Sequence, residues 1–385
     1  MNGSLPNLSL EEVLKGSVQE RLNYFRNRVI GHRRLLEARD YLLSRARLKG
    51  NVQLIFFFGP TGAGKTTVVQ RSSEELKRLH LEDAIQDPSL IPVVYVVALR
   101  AEAGSFSWIG FYGDILKALA EPHIDRRIIY PTKEDTNRSA RNRGKSAREM
   151  RELVVDALRR HETSVLFIDE AQHMQSVASA KQFQAQLDIL KTLADETGVL
   201  IVLIGPFELV RYLELNAQFA RRSERYYFGR YLPNNPSDRQ EFTDIIASLA
   251  SFLPLPEPSN LLEHVQFVYE GSLGLVGAYK NWLDRTLFKA LRRNDSQISL
   301  ADLKANIMSA AARLKIAQEI NEFENAESSD EVSQAQIREL LGLAKTPNAS
   351  KAAPHKNGDA KVRRSVGERA PARDPVGENG IERAA

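Results

Sequence analysis

The 385-residue chain contains no cysteine, only two tryptophans and four methionines, and no apolar run long enough to cross a bilayer. Without cysteine there can be no disulfide, no cysteine-ligated zinc and no thiol nucleophile, which fits a reducing cytoplasm. The N-terminus lacks a charged-then-apolar leader, so classical secretion is not expected. An excess of one charge sign is also missing from most of the chain. The net charge is +4, from 53 Lys and Arg against 49 Asp and Glu. From Lys345 onward nine basic residues face five acidic ones, which leaves 44 of each before it. The body is therefore neutral on average, and any nucleic-acid contact has to come from a local patch.

What remains is ordinary for a globular protein, with 43% hydrophobic and 26% charged residues. The length suggests two domains, or one large domain with appendages. Ser9 and Glu12 have capping-box spacing and predict one helix over 9–28, followed by a second over 33–47. Residues 51–58, 93–99, 164–168 and 199–204 are short apolar runs and predict buried strands. Helical spacing covers the stretch after residue 64 to about 79, then 108–120, 147–160 and 180–196. Strands alternating with helices imply an α/β fold, a parallel sheet with helices on both faces. Beyond Pro233 the apolar strand runs stop. Helical periodicity covers 237–252, 260–269, 273–292 and 300–323, with one more short helix expected over 331–343. The expected organisation is an N-terminal helical extension (1–32), an α/β domain (33–233), a small all-α lid (234–325) and a C-terminal piece (326–385). From Thr346 the chain is rich in Pro, Gly, Ala, Lys and Arg and is expected to be disordered, because it cannot bury enough surface to offset its ordering entropy.

Gly59-Pro60-Thr61-Gly62-Ala63-Gly64-Lys65-Thr66, followed by Thr67, matches the phosphate-binding loop pattern in full. Its glycines let backbone N–H groups wrap phosphate oxygens at a helix N-terminus. Lys65 is the candidate for the β- and γ-phosphates of ATP, and the Thr66 hydroxyl for Mg²⁺. The run 165–168 ends in Asp169-Glu170. Asp169 is a candidate for the Mg²⁺ shell and Glu170 for orienting or deprotonating an attacking water. Alone, an apolar run ending in Asp-Glu is often just a strand end; downstream of a phosphate loop, with a strand and helix between, it favours hydrolysis.

Residues 126–148 hold eight basic side chains against Glu134 and Asp135, a local +6. Arg138, Arg141, Arg143 and Lys145 are the candidates there for DNA phosphates, with a solvated loop as the bland alternative. Tyr130 alone is weak ground for base stacking. His173 has no partner at a convincing metal-ligand spacing and is better placed beside the Mg²⁺ site. Trp108, Phe111, Tyr112, Trp282 and Leu283 are expected to be core contacts.

Together the phosphate loop, the Asp169-Glu170 strand end and the following helical region resemble an AAA+ P-loop ATPase. The finer text is similar to the transposition-regulator branch, the TniB/TnsC family: Ile-Asp-Glu-Ala-Gln-His (168–173), Ile-Gly-Pro (204–206), Gln-Phe-Ala-Arg-Arg (218–222), Asp-Arg-Gln-Glu-Phe (238–242), Phe-Leu-Pro-Leu (252–255) and Gly-Ser-Leu-Gly-Leu-Val (271–276). The resemblance covers roughly 25–315, and the last two stretches narrow it to this branch. It implies an ATPase that assembles with itself as a ring or helical filament on duplex DNA with little sequence preference. Such a protein links a target-selection protein to a transposase in the bacterial cytoplasm, associated with the nucleoid. It also implies that an arginine among Arg221, Arg222 and Arg225, with Arg222 first, completes the site of a neighbouring subunit as an arginine finger; a solvated basic helix end is the bland reading. Two departures stand out. The strand 199–204 ends in Gly205 with no polar sensor residue, and residues 271–276 carry no sensor arginine, leaving Lys280 as the nearest cation. Slow or partner-dependent hydrolysis is expected. Other readings are a helicase-loader or replication-initiator ATPase, and a signalling or secretion-linked ATPase that does not bind DNA.

Overall fold

The computed structural model describes residues 9–48, 52–100, 106–121, 146–174, 180–211, 223–328 and 337–341. Residues 1–328 form one compact unit. The remainder, 329–385, forms a second unit that is described only over 337–341, where the chain makes one helical turn. The tail expected to be disordered lies outside the described residues.

The sheet has five strands, β1 (Leu54–Phe58), β2 (Val93–Val97), β3 (Val165–Asp169), β4 (Leu200–Gly205) and β5 (Ser223–Tyr227). Their order is β2-β3-β4-β1-β5, and every neighbouring pair is parallel. β1, β3 and β4 are buried at every residue, which is why they read as unbroken apolar runs. The two faces of β1 divide cleanly. Leu54, Phe56 and Phe58 pack with α6 (Trp108–Ala118), α7 (Ala147–Arg160) and α8 (Ala180–Thr197). Ile55 and Phe57 pack with α3 (Arg33–Arg47) and α4 (Lys65–Leu79) on the other face. A short α5 (Leu81–Gln86) follows α4, and α9 (Glu208–Arg211) follows β4. Phe111 and Tyr112 are buried and Trp108 packs against the same core.

A third core belongs to α10 (Pro236–Ser251), α11 (Val265–Ser272), α12 (Val276–Arg293) and α13 (Leu300–Asn306). Trp282 and Leu283 sit in it, as expected. So do Leu22 and Phe25, so the N-terminal segment shares the core of the helical region. Arg21 reaches the carbonyl of Pro254, and Arg26 pairs with Asp284 at 2.7 Å.

The short α5 and α9 are not expected from the sequence, and three larger differences stand beside them. The single helix over 9–28 is two helices, α1 (Leu10–Leu14) and α2 (Val18–Asn27), each opened by its own serine capping box, Ser9 with Glu12 and Ser17 with Glu20. The second box satisfies the N–H groups that a continuous helix would have bonded internally. The helix over 300–323 breaks at Ile307, which is extended (φ −66, ψ 147). Ser309 then receives the N–H of Ala312 and opens α14 (Ala310–Ser328). This last helix returns to the sheet. Its Ile320 is fully buried beside α3 and α4, and Phe323 stacks on Phe207 and meets Phe58 and Tyr227. The third difference is β5, which the sequence does not announce. Its residues Ser-Glu-Arg-Tyr-Tyr are only partly buried at the sheet edge, so no apolar run marks them.

Because Phe25 joins N-terminal and C-terminal segments in one core, Phe25→Ala should lower stability by about 3–5 kcal/mol, the usual cost of emptying a buried phenylalanine site. The midpoint of urea unfolding measures this; a loss below about 1 kcal/mol would show that α2 is peripheral to the helical region.

Candidate functional site

Two strand ends create the site. β1 runs into the glycine loop and β3 ends in Asp169, with β4 between them. The loop is pinned at its start, where Gly59 N–H donates to the carbonyl of Gly205 at 3.3 Å. A Cβ at Gly59 would lie 2.2 Å from the carbonyl oxygen of Phe228, so no other residue fits there. Gly62 (φ +84) and Gly64 (φ +108) take the left-handed backbone that lets the loop turn back on itself. Gly64 caps α4 without any side-chain acceptor. The first N–H groups of that helix are thus left for an anion.

Lys65 donates from Nζ to the carbonyls of Gly59 (2.8 Å) and Pro60 (3.0 Å), resting on its own loop. Burial lowers its pKa to about 8, against the opposing pull of Asp169, Glu170 and Glu208. Thr66 Oγ1 donates to Asp169 Oδ2 at 3.0 Å. The same oxygen accepts from Tyr95 OH on β2 at 2.8 Å, and Oδ1 accepts the N–H of Glu170 at 2.9 Å. Asp169 is therefore buried but fully bonded. A threonine hydroxyl and a carboxylate in contact are hard oxygen donors that suit Mg²⁺, so the two residues expected to hold the ion are compatible with it. Glu170 adopts a left-handed backbone (φ +53), and its side chain is exposed at the mouth of the site. His173 turns away: its Nδ1 lies 2.9 Å from the carbonyl of Ala98. Among the described residues no group of three or more His, Asp or Glu side chains could hold a metal.

The helical region closes the site from above. A Cβ on Gly277, in the first turn of α12, would lie 2.5 Å from the carbonyl oxygen of Gly62 and 3.1 Å from the nitrogen of Gly64. Between α12, the loop and the segment before α3 runs a narrow crevice lined by Ile30, His32, Gly64, Thr67, Val276 and Gly277. Lys280, the nearest cation of α12, donates to the carbonyls of Arg26 (2.9 Å) and Arg28 (2.6 Å) instead of pointing at the loop. His32 Nδ1 receives the N–H of Leu35 and lies 3.0 Å from Tyr231 OH, which donates to Glu241 Oε1. Arg33 and Arg34 both pair with the buried Asp238.

The structure thus brings together Gly59, Pro60, Thr61, Gly62, Ala63, Gly64, Lys65, Thr66, Thr67, Asp169 and Glu170. Arg221, Arg222, Arg138, Arg141, Arg143 and Lys145 lie outside the described residues. Arg225 is exposed on β5, level with Phe56, so it belongs to a strand and not to a helix end. Sequence reasoning missed Tyr95, the His32–Tyr231–Glu241 chain and the Gly277 contact. Only the glycine at 277, two residues into a helix, hinted at a close approach.

Residues 49–213 match the family model of the AAA domain. No curated protein matches the sequence. Among solved structures, the chain is similar to the Cdc6p protein of Pyrobaculum aerophilum, with 18% identity and a TM-score of 0.47 over 74% of this chain and 71% of that one. It is similar to the ORC2 protein of Aeropyrum pernix, with 17% identity and a TM-score of 0.44 over 79% and 69%. It is also similar to Drosophila ORC bound to DNA, with 14% identity and a TM-score of 0.46 over 90% and 84%. The parallel five-stranded sheet flanked by helices, with its glycine loop and helical C-terminal region, is the AAA+ P-loop fold.

Gly277→Ala should push α12 off the loop; relieving such overpacking costs about 1–3 kcal/mol, and roughly a tenfold loss of nucleotide affinity is expected, measured by titration of a fluorescent ATP analogue. Unchanged affinity would mean that the helical region does not sense the loop. A second expectation concerns pH. Burial holds His32 down to about 4 against its ordinary 6.5. The unfolded chain then binds more protons than the folded one between those values, so stability is full above about 6.5 and falls as pH drops toward 4. The loss is at most about 3 kcal/mol. His32→Asn, which keeps the helix cap, should flatten this part of the stability curve; identical curves would show that His32 does not contribute.

Proposed function

We propose that the chain is an ATP-hydrolysing switch that assembles on duplex DNA and links target selection to a transposase. The observation that carries the ATPase part is the grouping of Lys65, Thr66, Asp169 and Glu170 beneath a glycine loop that the helical region touches directly. In this reading Lys65 leaves its loop carbonyls for the β- and γ-phosphates, and the loop N–H groups bind their oxygens. Thr66 and Asp169 would hold Mg²⁺, which neutralises phosphate charge when bound. Glu170 takes a proton from the water whose oxygen attacks the γ-phosphorus, and the bond to the bridging oxygen breaks to release ADP. Arg222 of an adjacent copy stabilises the developing charge.

A loop–lid contact of this kind supports switching, since occupancy of the loop changes what Gly277 rests on. The transposition part is supported by the motif text from Phe252 and Gly271 onward. In the structure Leu253 and Leu255 lie in the core of the helical region, and Gly271 gives room to Trp282, where a Cβ would lie 2.3 Å from the ring. The DNA part is supported by the +6 segment holding Arg138, Arg141, Arg143 and Lys145.

Electron microscopy with duplex DNA and a non-hydrolysable ATP analogue tests the reading. Rings or filaments should form on DNA, and Lys65→Ala should abolish them together with nucleotide binding. Glu170→Gln should bind ATP, remain on DNA and lose turnover by about 100-fold or more. DNA affinity should fall with salt at a log–log slope near −0.9 per neutralised phosphate. Absence of assembly on DNA, or assembly only with a replicative helicase, would overturn the transposition reading.

A further inference from the structure

The turn after β3 carries an amide whose geometry packing does not explain. Gln172 donates from Nε2 to Glu170 Oε2 at 2.5 Å, and this is the only side-chain partner of Glu170 among the described residues. The other end of the amide, Oε1, is buried and has no hydrogen-bond partner. It rests over Gly205, in a notch shared with Leu209: a Cβ on Gly205 would lie 2.7 Å from Oε1 and 2.5 Å from Leu209 Cδ1. Gly205 ends β4, between the strand bearing Asp169 and the strand bearing the glycine loop, and its carbonyl holds Gly59. The charged carboxylate dictates which end of the amide it meets, because only the NH₂ end can donate. Oε1 is thereby forced into the notch above Gly205. A side chain kept there for shape alone would not leave an amide oxygen orphaned.

We propose, resting on the reading of Glu170 as the base, that Gln172 is its positioning residue. The carboxamide is seated in the notch that Gly205 leaves at the end of β4. It keeps Glu170 Oε2 occupied so that Oε1 of Glu170 faces the attacking water and receives its proton. The end of β4 bears no polar side chain of its own, and the turn after β3 supplies one across the glycine. The left-handed backbone at Glu170 (φ +53) turns the chain so that residues 170 and 172 meet on one side.

Steady-state ATP hydrolysis and binding of a fluorescent ATP analogue test this on the full chain, with Gln172→Met and Glu170→Gln. Met keeps the length and packing of the side chain but cannot donate. Gln172→Met should lower kcat on the order of 10-fold to 100-fold while KM and analogue affinity stay within about twofold, since misplacing a catalytic group by about 1 Å costs about that much. Wild-type kcat in Gln172→Met, with turnover still lost in Glu170→Gln, would overturn this proposal alone. Turnover unaffected by Glu170→Gln would overturn the base assignment and this proposal together.

Discussion

The arrangement depends on one steric constraint, the meeting of two glycine backbones. Gly277 brings α12 so close to the loop that a Cβ there would lie 2.5 Å from the carbonyl oxygen of Gly62 and 3.1 Å from the nitrogen of Gly64, so the helix can meet the loop only with a glycine at this position. A helix normally approaches a neighbour through side chains at 8–10 Å between axes. Here the backbone of the helical region is the neighbour of the loop, and the first turn of the 18-residue α12 touches it directly. That helix also holds the core that includes Leu22 and Phe25, and Lys280 on it grips the carbonyls of Arg26 and Arg28. The segment before α3, the loop and the helical region thus meet around the crevice.

A second tie runs through polar groups. His32 lines the crevice, Tyr231 lies on the connection between the sheet and α10, and Glu241 lies on α10 itself. Arg33 and Arg34 reach Asp238 one turn away. Asp238 is held below the ordinary carboxylate range: burial pushes it up, but the N–H of Leu232 and the two guanidinium groups outweigh that. Breaking one partner would leave a buried carboxylate short of donors, a far larger cost than the pair contributes when intact. Residues 238–242, which stand out in the sequence as a family-like stretch, serve this clasp.

What the sequence revealed follows from where side chains are buried on both sides. β1, β3 and β4 are covered on both faces and read as continuous apolar runs, and the loop between β1 and α4 is marked by glycines whose spacing has a chemical reason. The break at Gly16 was hidden because both flanking segments are good helix text, and only a second serine–glutamate pair records it. β5 escaped because an edge strand with Glu224 and Arg225 has no apolar signature. Lys65, Thr66, Asp169 and Glu170 were legible as a group. Tyr95 and Gln172 were not, since what makes them matter is a neighbour more than seventy residues away or a glycine on another strand. The arginines at 221 and 222 and the basic run near 138 rest on sequence alone.

Lys65 has one further consequence. In the chain by itself its ammonium group donates to two carbonyls of its own loop, but burial outweighs the pull of the nearby carboxylates and lowers its pKa to about 8. A polyphosphate anion placed against it would raise that pKa again. Near pH 8 and above, occupancy of the loop would then be coupled to proton uptake from the buffer, and the measured heat of binding would change with the ionisation enthalpy of the buffer. Calorimetry in two buffers would thereby count the protons taken up when Lys65 moves from its own backbone to the ligand.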